Sequence, residues 1–302
     1  MKNVLICASL LSSMLTFAQE NDTIKSNNNI DEVIVTGYIT KNSESANKMP
    51  LKDIENPQVY NSISGRLLRE QVVTTMNDAM KNATGVTRLW ESTGRGGDGA
   101  EYYAMRGFSV QPTMVNGLPG INNGSIDPIN VDNIEVIKGP SGTLFGSSLI
   151  SYGGLINIVT KKPHQNFSGE IGYNAGTYGM DRITADVNVP LNKDVAVRIT
   201  SAYQNENSFQ DAGFSKSIFV APSLSYKVND KLSFLINTEF TNRTSANAPM
   251  IFLSRYSPLS FNSIDLFEQN YKKSYTSNDL TINNYTFNLQ AQAQYKISDN
   301  WK

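Results

Sequence analysis

The sequence predicts a small α+β domain followed by antiparallel transmembrane β-barrel strands, and three observations predict it. The chain opens with a short apolar segment of the kind found in exported proteins, residues 4–15. Residues 131–162 contain two β-branched apolar runs around a glycine-rich connection, which indicates two strands. From Phe167 onward, polar and apolar residues alternate, the pattern of half-buried strands. This change of periodicity predicts a domain boundary near residue 163.

The first 18 residues have the features of a cleaved signal peptide. Lys2 precedes the apolar run, and Thr16-Phe17-Ala18 supplies a cleavage site, so we expect the mature chain to begin near Gln19. The run is too short to span a bilayer as a helix. Cys7, the only cysteine, lies inside this segment, so disulfides, zinc–cysteine sites and thiol nucleophiles are not expected in the mature chain.

The charge and histidine content exclude further classes of function. The 26 basic residues are balanced by 27 acidic ones and form no basic cluster, so no nucleic-acid partner is expected. His164 is the only histidine and has no second histidine or cysteine with which to bind a metal. No catalytic triad is visible, so an enzyme is not expected. The glycine- and aromatic-rich composition with strong alternation is typical of outer-membrane barrels.

The mature N-terminus is predicted to be a flexible leader, residues 19–50, interrupted by one apolar island. The island comprises Asp31, Glu32, Val33, Ile34, Val35, Thr36, Gly37 and Tyr38. It is a strand former with no local partner. From composition alone, it either pairs inside the first domain or adds a strand to the sheet edge of another protein.

The first domain is predicted to begin with a strand at 58–63 and a helix at 64–71. Thr75 and Asp78 have capping-box spacing and predict a second helix through Asn82, with Gly85 as its stop. Four apolar residues of this segment are expected in the core: Met76, Ala79, Met80 and Ala83. Residues 115–120, with Asn116-Gly117 at the centre, predict a tight hairpin.

Two glycine-rich segments lack the context that a nucleotide-binding loop requires. Residues 94–99 match G-x-G-x-x-G, but a strand-like segment follows where a dinucleotide fold requires a helix. Residues 139–146 lack the Gly-Lys-Ser/Thr of a phosphate loop. The first segment is better interpreted as a surface loop that carries Arg95, with Trp90, Tyr102 and Tyr103 nearby. It is either a ligand contact or plain surface.

The second half predicts six membrane-spanning strands and the start of a seventh at Trp301. The last run shows it best, because alternate residues from Tyr285 to Tyr295 are apolar while those between them carry amides or hydroxyls. This pattern also suits a soluble β-sandwich. The connections favour a barrel, because short ones (192–194, 229–230) alternate with longer ones (207–214, 243–279). Strands of roughly nine to thirteen residues also suit a tilted crossing.

Several motifs in this order resemble TonB-dependent outer-membrane receptors of the ferric-siderophore branch, over about residues 31–302. The apolar island resembles a TonB box. Four segments resemble plug motifs: residues 103–108, 116–119, 134–141 and 153–157. The resemblance implies a plug domain at 51–163 and the first six to seven strands of a barrel at 164–302. The whole barrel is expected to have about 22 strands, so the chain is expected to be the N-terminal part of a longer protein.

The resemblance also implies partners and site residues. A ferric siderophore, which carries its own iron so that no cofactor is needed, would bind the plug's apical loops at Trp90, Arg95, Tyr102, Tyr103, Asn122 and Asn123. TonB, driven by the inner-membrane ExbB–ExbD motor, would pair with residues 31–38 from the periplasm. Arg106 and Lys138 match basic plug positions that pair with barrel carboxylates, which would form a latch. The resemblance implies a location in the outer membrane of a Gram-negative cell, where lipid would surround the strands.

The alternative substrates are cobalamin, haem and glycans. The glycan-importing branch usually has a β-sandwich extension before the box and a Lys-Asp-Ala-Ser version of residues 138–141. Here only a short leader precedes residue 31, and residues 138–141 are Lys-Gly-Pro-Ser. The siderophore branch is therefore the expectation.

Overall fold

The computed structural model describes residues 59–90, 101–120, 126–139, 151–247, 256 and 263–298. The predicted signal peptide, residues 31–38, Arg95, Asn122, Asn123 and Trp301 lie outside these ranges, as do most residues of both glycine-rich segments. Among the helices of the described ranges, none has the length and apolar content needed to span a membrane.

The described residues of the first domain form eight strands and two short helices. In chain order they are β1 (Val59–Ser64), α1 (Gly65–Glu70), α2 (Met76–Met80), β2 (Val86–Trp90), β3 (Tyr102–Met105), β4 (Phe108–Val110), β5 (Pro112–Val115), β6 (Leu118–Pro119), β7 (Val131–Lys138) and β8 (Gly154–Thr160). A mixed sheet has the order β1-β7-β8-β5-β6, and a small antiparallel sheet has the order β2-β3-β4. The α+β prediction for this domain is confirmed.

The two strands predicted within residues 131–162 form the centre of the mixed sheet. β7 and β8 pair antiparallel, with Ile134 opposite Ile158 and Ile137 opposite Leu155. All four side chains are at most 2% exposed. β-branched residues suit such a pleated, buried surface. Among the described pairings of this sheet, that of β5 with β8 is parallel, and the hairpin after β5 adds β6 antiparallel at the sheet edge.

Both helices begin at side-chain caps, and the sequence identified the second. The Ser64 hydroxyl accepts the Leu67 N–H, and the Thr75 hydroxyl accepts the Asp78 N–H at 3.2 Å. Each cap satisfies a backbone donor that has no partner within its helix. The predicted apolar face of α2 is buried against the mixed sheet in one cluster with Leu68 of α1. α2 ends at Met80, earlier than predicted, and Gly85 precedes β2 with a φ of +65°.

The hairpin between β5 and β6 turns at Asn116 and Gly117, as predicted. Both residues have positive φ, 54° and 74°. This conformation matches the right-handed twist of the flanking strands, and asparagine and glycine tolerate it best. The turn places the Asn116 side chain at the edge of the first domain.

The second half is a six-stranded antiparallel meander, which we call the wall. Its elements are β9 (Ser168–Gly176), β10 (Met180–Pro190), β11 (Val195–Asn207), β12 (Phe214–Lys227), β13 (Leu232–Ala246), α3 (Ile264–Asn270) and β14 (Thr281–Tyr295), and the strands lie in chain order. The six predicted strands are confirmed. Three of them, β12, β13 and β14, have 14 or 15 residues and are longer than the predicted nine to thirteen. The extra residues extend the strands toward the longer connections, where alternation is too weak to reveal them.

The wall has one apolar face and one polar face. Apolar side chains such as Ile171, Tyr285 and Phe287 are 58–82% exposed on one face. On the other face Arg182, Asn188 and Thr200 are at most 3% exposed, because the first domain and the chain that follows it cover them. A sheet that hides its polar residues and exposes its apolar ones is arranged for lipid outside and a polar lumen inside.

Candidate functional site

The first domain contacts the inner face of the wall through polar side chains from several of its segments. One buried ion pair joins Asp127, just before β7, to Arg182 on β10. The guanidinium donates to both carboxylate oxygens, at 2.5 and 3.1 Å, and also to Gln204 on β11 at 2.7 Å. The two charged side chains are 4% and 12% exposed. A bidentate pair of this kind fixes orientation as well as distance.

Asp127 is positioned by the turn that it begins. Residues Pro128–Asn130 form one turn of 3₁₀ helix, and the Asp127 carboxylate accepts the Ile129 N–H at 2.9 Å. Pro128, at the first helical position, has no backbone N–H and so leaves no donor without a partner there. The Asp-Pro sequence therefore builds a rigid turn that presents Asp127 and Asn130 to the wall.

Asn130 connects this turn to two wall strands at once. Its amide donates to Glu239 on β13 at 2.8 Å, and its oxygen accepts the hydroxyl of Thr200 on β11 at 3.0 Å. Asn288 on β14 lies 3.4 Å from the other Glu239 oxygen. Within the described residues no cation lies in salt-bridge range of Glu239, and the hydrogen-bond partners of this buried carboxylate are the amides of Asn130 and Asn288. Next to this network, Ile129 packs in an apolar cluster with Ala202, Phe219 and Ala221.

A second buried ionic cluster lies where the first domain continues into the wall. The Lys161 ammonium is 2.6 Å from the Asp186 carboxylate, which also receives Arg198 at 2.8 Å. Lys161 and Asp186 are 3% and 7% exposed. Burial lowers the pKa of Lys161 below its ordinary value, although the hydrogen bond to Asp186 opposes the shift. Arg198 also donates to the Lys162 carbonyl at 3.1 Å.

The connection from β8 to β9 is fastened to the wall by one asparagine. Asn188 on β10 is fully buried. Its oxygen accepts the His164 N–H at 2.9 Å, and its amide donates to the carbonyls of His164 and Asn166 at 2.8 and 2.7 Å. The connection is therefore a docked segment whose backbone polar groups are satisfied by a wall side chain.

A cavity of about 260 Å³ separates the β5–β6 hairpin from β13 and β14. Asn116 donates to Gln290 at 2.9 Å beside it, and Gln290 donates to the Val115 carbonyl at 3.3 Å. Asn237 and Glu239 line the cavity and are each 8% exposed. Neither amide atom of Asn237 has a hydrogen-bond partner in the part of the chain that the structure describes.

The predicted ligand residues that the structure describes differ in their exposure to solvent. Trp90 and Tyr102 face each other across β2 and β3 with ring centroids 4.7 Å apart, and Trp90 is 47% exposed. Tyr103 is 1% exposed in the core, and its hydroxyl contacts Asn77 at 3.2 Å. This corrects the expectation that Tyr103 faces a ligand. Successive side chains of a strand point to opposite faces, so Tyr102 and Tyr103 cannot both be on the surface.

The predicted latch residues contact their own domain. Lys138 donates to the Thr84 hydroxyl at 3.1 Å. Arg106 is exposed, has a φ of +51°, and holds its guanidinium over Gly139, where an added Cβ would lie 2.8 Å away. Neither residue forms an ion pair with the described wall strands.

The ionic contacts that do reach the wall were not predicted. Arg182, Asp186 and Arg198 occupy alternate positions of period-two runs, on the polar face of the wall. Charged residues at inward positions of a barrel strand are the signal that could have identified them. No group of three or more histidine, cysteine or acidic residues suited to a metal occurs among the described side chains.

Comparisons with known proteins agree with this architecture. A family model described as the TonB-dependent Receptor Plug Domain matches residues 52–151. The ferripyoverdine receptor of Pseudomonas aeruginosa is 28% identical over 222 residues, which cover 68% of this chain and 26% of that protein. The ferrioxamine receptor of Yersinia enterocolitica is 27% identical and is covered to 29%, over 67% of this chain. The chain thus spans less than a third of the length of these curated relatives.

Solved structures show the same fold. The ferric-catecholate import receptor Fiu of Escherichia coli K12, in its closed form, superposes with a TM-score of 0.72 at 24% identity, over 87% of this chain and 38% of that one. The outer-membrane ferripyoverdine receptor of Pseudomonas aeruginosa, bound to ferripyoverdine, gives 0.68 at 22% identity, over 84% and 34%.

Proposed function

Because this chain belongs to the TonB-dependent receptors through the plug domain at residues 52–151, we propose that it serves in an outer-membrane receptor for the active uptake of ferric siderophores. The observation that carries the proposal is the docking of the plug on the polar inner face of the wall while the apolar face stays open. A plug in this position closes a lumen, so a solute crosses only when the plug moves. The protein is proposed to be a transporter rather than an enzyme.

The proposed organisation follows the predicted boundaries. Residues 1–18 are a cleaved signal peptide, residues 19–50 a leader, residues 51–163 the plug and residues 164–302 barrel strands. Residues 31–38 are the TonB box. Their pairing with TonB, powered by ExbB–ExbD, would let the proton gradient of the inner membrane pull on the plug from the periplasm.

The siderophore class is supported by similarity to proteins whose names specify pyoverdine, ferrioxamine and catecholate chelates. We propose that a ferric siderophore contacts Trp90, Arg95, Tyr102, Asn122 and Asn123. Trp90 and Tyr102 support this proposal, because they form an aromatic pair at the two ends of the segment that carries Arg95, and Trp90 is half exposed. Aromatic faces suit the apolar parts of a chelate, and an arginine suits the oxygen atoms that surround its iron. Arg106 and Lys138 remain proposed latch residues toward wall strands other than the six described.

Tryptophan fluorescence of the full-length receptor tests the substrate class. The probes are ferripyoverdine, ferrioxamine and a ferric catecholate, with maltoheptaose, haem and cobalamin as the alternatives. Quenching by a ferric siderophore and not by the oligosaccharide is expected. Trp90→Phe should remove part of the quenching without removing binding. Quenching by the oligosaccharide, haem or cobalamin alone would contradict the siderophore assignment.

Deletion of residues 31–38 tests the coupling. The deletion should leave siderophore binding unchanged and abolish uptake into cells, because only the energy-transducing contact is lost. Deletion of residues 21–28, in the same leader, is the matched control and should leave both intact. Uptake by the receptor without residues 31–38 would show that the box lies elsewhere.

A further inference from the structure

The plug is held on β10 and β11 by buried charges and by the chain itself. Asp127 and Lys161 pair with Arg182 and Asp186, and Asn188 fastens the connection that leads into β9. Charge-assisted hydrogen bonds are roughly twice as strong as neutral ones. The covalent connection lies beside the second ionic cluster, so the plug cannot move far from these two strands without unfolding. We call this side the anchor.

The contact between the β5–β6 hairpin and strands β13 and β14 is of a different kind from the anchor. Among the described residues, the hairpin itself reaches these strands through neutral hydrogen bonds of Gln290, to Asn116 and to Val115. The charge-assisted bond from Asn130 to Glu239 on β13 starts from the 3₁₀ turn and not from the hairpin. Amides exchange a protein partner for water at small net cost. The cavity of about 260 Å³ already separates the two surfaces beside these bonds. We call this contact the seam.

The lining of the cavity is that of a site for a polar solute. Asn116, Asn237, Asn288 and Gln290 bring amides to it, and Glu239 brings a carboxylate. Asn237 is buried with both amide atoms unpaired within the described structure, although buried polar groups normally have a partner. Glu239 has amide neighbours and no described counter-cation. Such a lining accepts hydrogen-bonding, neutral or cationic groups and their water, and it disfavours apolar groups.

We infer that the plug opens at the seam: the β5–β6 hairpin separates from β13 and β14, and the cavity widens into the path of a hydrated, hydrogen-bonding solute. The anchor stays closed throughout. This inference rests on the proposed uptake function and adds to it the place where the lumen opens and the residues that line the path.

Chemical bridging of introduced cysteines tests which side moves. The only natural cysteine, Cys7, lies in the predicted signal peptide. Asn116→Cys with Gln290→Cys spans the seam, and Ile129→Cys with Ala202→Cys spans the anchor. Each pair is bridged in cells with a short bis-methanethiosulfonate that dithiothreitol removes. Uptake of radioiron is measured with the ferrioxamine, pyoverdine or catecholate chelate that the unmodified receptor accumulates.

Bridging the seam should abolish uptake but not binding, and dithiothreitol should restore uptake. Bridging the anchor should leave uptake as in the same variant before bridging. Full uptake with the seam bridged, or loss of uptake with the anchor bridged, would overturn the inference while leaving the proposed function intact. If the unmodified receptor accumulates no chelate, the proposed function fails instead.

Thiol labelling gives a second measurement that needs no chelate to be transported. Asn237→Cys should react with the small cation aminoethyl methanethiosulfonate in energised cells and be protected when a protonophore is added. Ala202→Cys, in the anchor, should react at the same slow rate under both conditions. A change of the anchor cysteine's labelling rate on adding the protonophore, or equal labelling of Asn237→Cys with and without it, would contradict opening at the seam.

Discussion

The guanidinium of Arg182 donates to both carboxylate oxygens of Asp127, and this pair joins a wall strand to a turn of the plug 55 positions earlier in the chain. Arg182 is 4% exposed and Asp127 12%. This pair fixes the position of the plug. If the two charges separated, each would have to be hydrated by water entering the interface or stay buried without a partner.

Replacing Arg182 by Met should destabilise plug docking by about 3–5 kcal/mol, since the Asp127 carboxylate is left buried and unpaired. Protease resistance of the plug and the denaturant midpoint of the purified receptor would measure the loss. Changing Asp127 to Leu in the same chain should recover much of it, because an apolar pair leaves no buried charge.

The control is Arg66→Met. Arg66 is 60% exposed and pairs with Glu70 one helical turn away. Removing such a surface pair should cost at most about 0.5 kcal/mol. Equal losses for Arg66 and Arg182 would mean that the buried pair does not hold the plug.

Replacing Asn188 by Ala should release the connection between plug and wall. Two backbone carbonyls and one N–H, of His164 and Asn166, would lose their partner. Each buried unsatisfied group costs about 1–3 kcal/mol. Faster tryptic cleavage after Lys161 would report the release. Ser168→Ala, which removes only an exposed contact to the His164 ring, should cleave at the wild-type rate.

Gly154→Ala should prevent the plug from folding. Gly154 has a φ of +141°, and an added Cβ would lie 2.1 Å from the Ile137 carbonyl oxygen, a backbone atom that cannot turn away. The expected result is loss of the receptor from the outer membrane on immunoblots. Gly169→Ala is the control, because nothing lies within 4 Å of its Cβ position. Normal levels of Gly154→Ala would show that β7 and β8 can separate there.

Phe287→Arg should impair assembly into the membrane. Phe287 is 58% exposed on the apolar face and packs against Phe240 with centroids 4.8 Å apart. A lipid-facing arginine costs about 2–4 kcal/mol at mid-bilayer. Gln292→Arg, on the inner face of the same strand, should assemble far better. The fraction of heat-modifiable, folded receptor measures the assembly of both variants. Better assembly of Phe287→Arg than of Gln292→Arg would show that the Phe287 face, and not the Gln292 face, lines the lumen.

The cap of α2 should make plug stability depend on acid pH. Partial burial alone would raise the pKa of Asp78, but hydrogen bonds from Lys81 and Thr75 outweigh it and lower the pKa below its ordinary value of 3.8. A depressed carboxyl pKa stabilises the fold at pH values above the unfolded-state pKa. The contribution is lost as the pH falls through the folded-state pKa.

Unfolding of the receptor and of Asp78→Asn, followed between pH 6 and pH 3, would measure the contribution of the ionised Asp78 carboxylate to stability. The stability difference between the two should be present at pH 6 and shrink below about pH 4. Thr75→Ala should cost about 1 kcal/mol even at pH 3, because the Asp78 N–H loses its cap at every pH, and more at pH 6, where the hydroxyl also donates to the ionised Asp78 carboxylate. A pH-independent difference for Asp78→Asn would contradict the assignment.

Local patterns in the sequence predicted most elements of the fold. The Thr75 cap, the Asn116-Gly117 turn, β7, β8 and the six alternating strands each depend on residues a few positions apart, so a single segment suffices to identify them. The ends of β12, β13 and β14 were missed because their alternation fades near the long connections. Tyr103 was misplaced because its aromatic neighbours suggested a surface, whereas the strand's two-residue period sends it inward.

By itself, the sequence determined the two-part architecture, the hairpin turn and which face of each wall strand is polar, because these follow from the periodicity and the backbone preferences of neighbouring residues. Only the tertiary structure decided which polar residues meet. The pairs Asp127–Arg182 and Lys161–Asp186, and the amides around Glu239, join segments from 25 to 109 positions apart. A buried charge needs a partner, but the sequence does not show which residue that partner is. The register of two distant segments depends on how the whole plug packs against the wall.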